Sequence, residues 1–312
     1  MYAVLNTALK KIWGTIADGS LFSGHPELLP MDLDRDYPEI EPLLIKEEWP
    51  FVRGDMEISH AQPKATAFIA RKDGKFAGFF TTHNFAEIGY LDMMIIAPAF
   101  RRAGIARPLY FHTINELKRQ GIRAFVVHTT NDSARIIKLL GFKPCQHFTL
   151  LVRDPLIGIA DSKVACEIVQ LGKTARDELI NLDSEIFGMA RPEWFDALLA
   201  QPEIRFYGLR KAGRLAAALC LRPRRGGALC IDCANAHTFA DLTNVVNYLL
   251  MRYRHTRIEC FARTGSELYR TLGECGFVVP DFFKAIGPLM EWRKGVVGEI
   301  GKSPKVQCLS WL

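Results

Sequence analysis

The sequence predicts a tandem α/β protein, two copies of one α/β unit in series, and three observations carry that prediction. The chain has 312 residues, more than one ordinary domain needs. Short apolar runs of strand length alternate with stretches of helical periodicity. Three segments of the first half also recur in the second, in the same order. Arg71 to Ala77 is echoed by Arg210 to Ala216, Gly121 to Phe125 by His255 to Glu259, and Leu140-Gly141-Phe142 by Cys275-Gly276-Phe277. The offsets are nearly constant, at 139, 134 and 135 residues, as duplication of one unit would leave them.

The elements follow in order. Val4, Leu5, Leu9, Ile12, Trp13 and Ile16 share one stripe, so residues 2–17 read as a helix packed on the body. Gly19 to Pro30 reads as a loop, and Glu39 to Trp49 as a helix. Ala65 to Ala70 and Phe76 to Thr81 flank Asp73-Gly74, a hairpin signal. Glu87 to Ile96 is a third strand, Arg107 to Gln120 a helix, and Arg123 to Thr129 a buried strand. Ser133 to Leu140 is a helix stopped by Gly141, and Phe148 to Val152 a last strand of the first half. Asp154-Pro155 and Gly158 mark the break. The expected divisions are 1–29 for the N-terminal helix and loop, 30–155 and 162–295 for the two units, and 296–312 for a tail.

Composition excludes several classes. Apolar residues are too many for a disordered chain, and no apolar run is long enough to span a membrane. Lys10 and Lys11 break the apolar stretch near the N-terminus, against a secretion signal. Eight irregularly spaced cysteines suit a reduced, cytoplasmic protein. The net charge of +6 suits an anionic small ligand; it is too weak and dispersed to argue for nucleic acid.

The segment that carries chemistry is Ile95-Ile96-Ala97-Pro98-Ala99-Phe100-Arg101-Arg102-Ala103-Gly104-Ile105-Ala106-Arg107-Pro108. A strand ends, a short loop follows and a helix begins. The first N–H groups of a helix have no internal partner, and the helix dipole adds positive potential around them. With Gly104 and Ala106 keeping the approach open and Arg101, Arg102 and Arg107 adding charge, the loop is an anion site suited to a pyrophosphate. Pro108 falls in the first turn, where its missing N–H costs nothing.

In this loop the sequence resembles the GCN5-related N-acetyltransferase (GNAT) family, whose signature is (Gln/Arg)-x-x-Gly-x-(Gly/Ala) after its fourth strand. The preceding Ile-x-Pro, the strand Ala124 to Thr129, Asn131 after it and the closing Leu140-Gly141-Phe142 extend the resemblance over about residues 30–153. It implies a mixed, mostly antiparallel central sheet flanked by helices in each unit, and acetyl-CoA as co-substrate, with no metal. It also implies that the main chain of Met94, Ile95 and Ile96 holds the pantetheine arm. The loop Arg101, Arg102, Ala103, Gly104, Ile105, Ala106 and Arg107 would hold the pyrophosphate, and Asn131 would touch pantetheine. The acceptor would be an amine, of a small molecule or a protein, attacking the thioester directly.

Such an attack needs a base for the amine proton. By the two-residue strand period Tyr90, Asp92, Met94 and Ile96 share one face. Asp92 is the expected base, with Tyr90 to relay or orient, at spacings from Arg101 where related enzymes carry acid–base residues. Glu87 falls on the other face unless a bulge intervenes. Many members also place a thiolate-protonating tyrosine four residues before the glycine of Leu-Gly-Phe; here that position is Ile137.

The second unit lacks the loop. Its matching stretch reads Asn235-Ala236-His237-Thr238-Phe239-Ala240-Asp241, so it is expected to be a degenerate copy that shapes the acceptor site or mediates a homodimer. Cys230 and Cys233, three apart on a strand, should face opposite sides and make no zinc site. His128 reads as a core residue. The rival readings are a non-catalytic CoA-binding module and a tandem aminoacyl- or peptidyl-transferring enzyme.

Overall fold

Asp73 and Gly74 take φ of 51° and 72°, the left-handed pair that a two-residue hairpin requires, and so join strand β2 (Thr66–Lys72) to β3 (Lys75–Phe85). The computed structural model describes residues 25–155, 167–280 and 286–292; the N-terminal helix expected over 2–17, the middle of the linker and the tail lie outside them. The first half runs β1 (Glu27–Pro30), α1 (Leu33–Lys46), α2 (Arg53–His60), β2, β3, β4 (Ile88–Ile96), α3 (Ala106–Arg119), β5 (Ala124–Thr130), α4 (Asn131–Leu139) and β6 (Lys143–Gln146). Then come β7 (Phe148–Arg153), β8 (Ile168–Leu171), α5 (Arg176–Phe187), α6 (Pro192–Ala200), β9 (Arg205–Lys211) and β10 (Arg214–Pro223). The chain closes with β11 (Leu229–Ala236), α7 (Phe239–Arg252), β12 (Ile258–Arg263), α8 (Glu267–Glu274) and β13 (Ile286–Trp292).

Two mixed, mostly antiparallel sheets result, in the orders β1-β2-β3-β4-β5-β13-β6 and β7-β12-β11-β10-β9-β8. Each contains one parallel pair, β4 with β5 and β11 with β12, so the sheets repeat one design. They do not coincide with the chain halves. The sequence places Phe148 to Val152 in the first unit, but this strand pairs with β12 of the second sheet over six residues. In return β13 inserts between β5 and β6. Each half thus covers the other's open strand edge, which would otherwise present unpaired N–H and C=O groups.

The core is continuous across the exchange. Phe85, Tyr90 and Val126 of the first sheet pack in one cluster with Phe148, Phe206, Cys230 and Phe261 of the second and with Trp194 of α6. Helices α2 and α6 meet at the junction. Asp55 of α2 reaches into the second half, where Arg222 and Arg224 (2.7 Å) both hold its carboxylate. Trp194 of α6 reaches into the first, with its ring 5.3 Å from that of His83 and 5.6 Å from that of Phe85.

Candidate active site

The first sheet splits at the middle of β4. Pairing with β5 runs from Ile88 to Leu91 and stops there, while pairing with β3 continues to Ile96. The main chain after Leu91 is therefore flanked by a strand on one side only. A β-bulge sits at the split: Phe80 pairs with Met94 and Thr82 with Leu91, so three steps on β4 face two on β3. The bulge corrects the face expected from simple alternation. Tyr90 packs in the shared core, and Asp92 sits with it beside His83. Met93 and Ile95 pack toward α1 and α2, whereas Met94 and Ile96 turn to the opposite face with Leu91, against α3.

Asp92 is nearly enclosed, with 7% of its side chain exposed. Its Oδ2 accepts hydrogen bonds from Ser59 Oγ at 3.2 Å and Thr81 Oγ1 at 3.5 Å, and His83 Nδ1 lies 3.6 Å away. Thr81 also accepts from the bulge amide of Met93 at 3.2 Å, which fixes the bulge. Tyr90 is 1% exposed and stacked on His83. Burial, then the neighbouring Asp92 charge, pushes its phenol well above the ordinary value. A phenol so enclosed and held protonated is ill placed to relay a proton, against the relay expected for Tyr90. Glu87 is exposed in the β3–β4 turn, 3.7 Å from Arg123.

Helix α2, which the sequence reading missed, supplies Ser59 and His60. It is short, carries Gly54, and its N-cap is Val52, which cannot cap with its side chain. Asp55 reverses the usual signal, accepting from the Val52 N–H at 2.8 Å. His60 is partly exposed, and its Nδ1 lies 3.1 Å from the Met56 carbonyl oxygen. Burial lowers the His60 pKa, against the opposing effects of that bond and of Asp92.

The loop after β4 opens the other end of the site. Gly104 takes a φ of 76°, and a side chain there would meet nothing within 4 Å, so conformation and not crowding calls for glycine. Arg102 also sits at positive φ, 64°, a strained position for a side-chain-bearing residue. Ile105 stands at the N-cap of α3 and is buried, so no side chain caps the helix, whose first residue, Ala106, is exposed. Arg101 donates to the Ile96 carbonyl at 3.1 Å and pairs with Glu47 at 2.5 Å. Arg107 lies 5.7 Å over the Phe111 ring. Asn131 opens α4, and its side chain lies outside the described residues. Ile137, partly buried, packs against the core under α3.

Residues 31–142 match the family model described as Acetyltransferase (GNAT) family. They form a GNAT-family domain. Solved structures extend the likeness to the whole chain at the level of fold. A Pyrococcus horikoshii protein, named only provisionally as an acetyltransferase, is 13% identical with a TM-score of 0.73, and the match covers 94% of this chain and 97% of that one. A tandem GNAT protein from the clavulanic acid biosynthesis pathway is 16% identical with a TM-score of 0.63, covering 86% and 98%. A glucosamine N-acetyltransferase region of a fungal multi-domain β-N-acetylglucosaminidase is 14% identical with a TM-score of 0.63, covering 87% of this chain and 38% of that one. No curated protein sequence matched the chain. The fold is that of two tandem GNAT-like domains, and the family points to acyl transfer as the general chemistry.

The second GNAT-like domain keeps the split and the bulge but fills them. Pairing of β11 with β12 stops at Ile231, and a bulge follows, with Cys233 at a φ of 47°. The bulge also overturns the alternation argument for the cysteines: Cys230 and Cys233 lie in one core cluster, with Cys220. Cys220, Asp232 and Cys233 bring potential ligand atoms within 4.8 Å of one another. Yet Asp232 is taken by Arg222 at 2.6 Å and by the Cys233 N–H at 2.7 Å, and burial raises all three thiols, Cys230 to about 12. The donors do not suit a cation. Among the described residues no helix is long and apolar enough to cross a membrane.

Proposed function

We propose that this protein is an N-acetyltransferase that moves the acetyl group of acetyl-CoA to an amine. The observation that carries the reading is the one-sided main chain of Asp92 to Ile96, which runs straight into an uncapped helix start ringed by arginines. The unpaired strand edge can bond the amides of a pantetheine arm as a neighbouring strand would. The α3 N-terminus, Gly104 and Arg102 can take the pyrophosphate. At the split, a peptide N–H polarises the thioester carbonyl, and the acceptor amine attacks it directly.

Asp92 stands at that split. Its carboxylate favours a cationic acceptor and holds the amine beside the thioester. The second domain walls the site through Trp194, which packs on His83 behind Asp92.

Acetyl-CoA should raise the thermal midpoint of the full chain, because a ligand bound only by the native state stabilises it. An unmoved midpoint at saturating acetyl-CoA would overturn the reading. With a panel of amino acids, polyamines and amino sugars as acceptors, Asp92→Asn should cut turnover by ~10²-fold or more while that thermal shift survives. Binding without acetylation of any amine would favour a CoA-binding module instead.

A further inference from the structure

One histidine, His83, contacts Asp92, and a second, His60, follows the serine that holds it; their surroundings differ. His83 is fully enclosed, walled by the rings of Tyr90, Phe85 and Trp194, and its Nε2 has no hydrogen-bond partner among the described residues. It cannot meet a substrate. His60 is partly exposed at the end of α2, next to Ser59, whose hydroxyl holds Asp92.

The His60 tautomer follows from one contact. Nδ1 lies 3.1 Å from the Met56 carbonyl oxygen, and a carbonyl oxygen only accepts, so Nδ1 carries the hydrogen. In a neutral ring this leaves Nε2 with a free lone pair. Asp92, on β4, is the charged group that acts on the ring, and His83, on β3, shares the same carboxylate. Asp92 Oδ2 is already engaged by two hydroxyl groups, so the carboxylate is better placed to hold an ammonium than to carry its proton away.

We propose that His60 Nε2 takes the proton from the acceptor amine, while Asp92, fixed by Ser59, Thr81 and His83, holds that amine in place. The proposal rests on the acyl-transfer reading. The acceptor ammonium gives one proton to Nε2 and becomes a neutral amine. Its lone pair forms the C–N bond and the C–S bond breaks. A second proton passes from the new C–N nitrogen to the leaving thiolate, and one hydrogen stays on the amide. The imidazolium then returns its proton to water, so no separate acid is required where Ile137 stands.

The burial that lowers the His60 pKa serves this role, because it favours the neutral ring. The sign is then fixed: kcat/KM should rise with pH through a value below the ordinary ~6.5 and level off above it.

Two measurements test this. Nitrogen-15 NMR of histidine side chains in the full chain should show His60 protonated at Nδ1 and titrating below ~6.5, and lower still in Asp92→Asn. An Nε2–H tautomer, or a titration at or above ~6.5, would overturn the proposal. In the amine panel, His60→Gln should lose ~10²-fold in turnover, lose the acidic limb of the pH profile and recover in part with added imidazole, with the acetyl-CoA thermal shift intact. Full turnover with the limb preserved would reject it, and His60→Asn repeats the test if the glutamine variant folds poorly. Loss of the acetyl-CoA shift in the unaltered protein would instead sink the acyl-transfer reading.

Discussion

In the first domain the bulge amide of Met93 is satisfied by Thr81, and Asp92 is left to face the site. In the second, the ladder places Cys220 where Thr81 stands, Arg222 where His83 stands and Asp232 where Asp92 stands. A thiol is a poor acceptor, so Asp232 bends back to its neighbour's N–H and pairs with Arg222. Arg222 in turn draws in Asp55 from the other domain. The helix starts diverge in the same way. The α3 terminus is uncapped and open, whereas at α7 Thr238 caps the Asp241 N–H at 3.2 Å. The Asp241 carboxylate, paired with Lys211 at 2.5 Å, occupies the positive end of the dipole. One backbone design thus yields an uncapped helix start in one copy and a self-satisfied structural element in the other. Side chains at a few matched positions decide which.

The largest expected effect falls where the copies interlock. Asp55→Asn leaves Arg222 and Arg224 short of a buried counterion and should cost about 3–5 kcal/mol in urea unfolding. Burial pushes the Asp55 carboxyl up, but Arg224 and Arg222 bring it below its ordinary value. Its contribution is therefore present above the unfolded value near ~3.9 and fades as pH falls through the lower native one. A melting curve of the variant that matches the unaltered protein from pH 3 to 7 would mean the interlock does not hold the domains.

Next comes the anion site. Gly104→Glu puts a charge and a disfavoured left-handed side chain in the loop, and should weaken acetyl-CoA binding by ~10²-fold or more on the scale of a lost charge-assisted contact. Calorimetry on the unaltered chain should give one acetyl-CoA per chain. A second bound molecule would show that the α7 terminus is not closed.

The smallest effect sharpens the same contrast. Thr238→Ala removes the α7 cap and should cost ~1 kcal/mol of stability, with no change in acetyl-CoA affinity. A changed affinity would tie the second helix start to ligand binding.

Much of this was legible in sequence. The hairpin at Asp73-Gly74, the strand of Ile88–Ile96 and the loop before α3 follow from turn chemistry, periodicity and a glycine-basic spacing. Asp92 was found from its distance to Arg101. Helix α2, with Ser59 and His60, escaped notice because it spans eight residues, includes Gly54 and starts at a valine. The β4 faces were misassigned past Asp92 because a bulge adds one residue to one strand, and a period of two cannot register it.

The sequence by itself determined the duplication, the two sheets and the glycine-basic loop that only one copy carries, since local propensity and spacing encode each of these. Tertiary structure alone decided three things. The strand exchange depends on which open edge each of β7 and β13 covers, and both edges belong to strands of similar pattern. The reciprocal insertion of Asp55 and Trp194 joins residues far apart in sequence, 167 positions for Asp55 and Arg222, that nothing local connects. The hydroxyls that hold Asp92 come from Ser59, 33 positions away in sequence, and from Thr81 on the neighbouring strand, and only the folded chain brings them to its carboxylate.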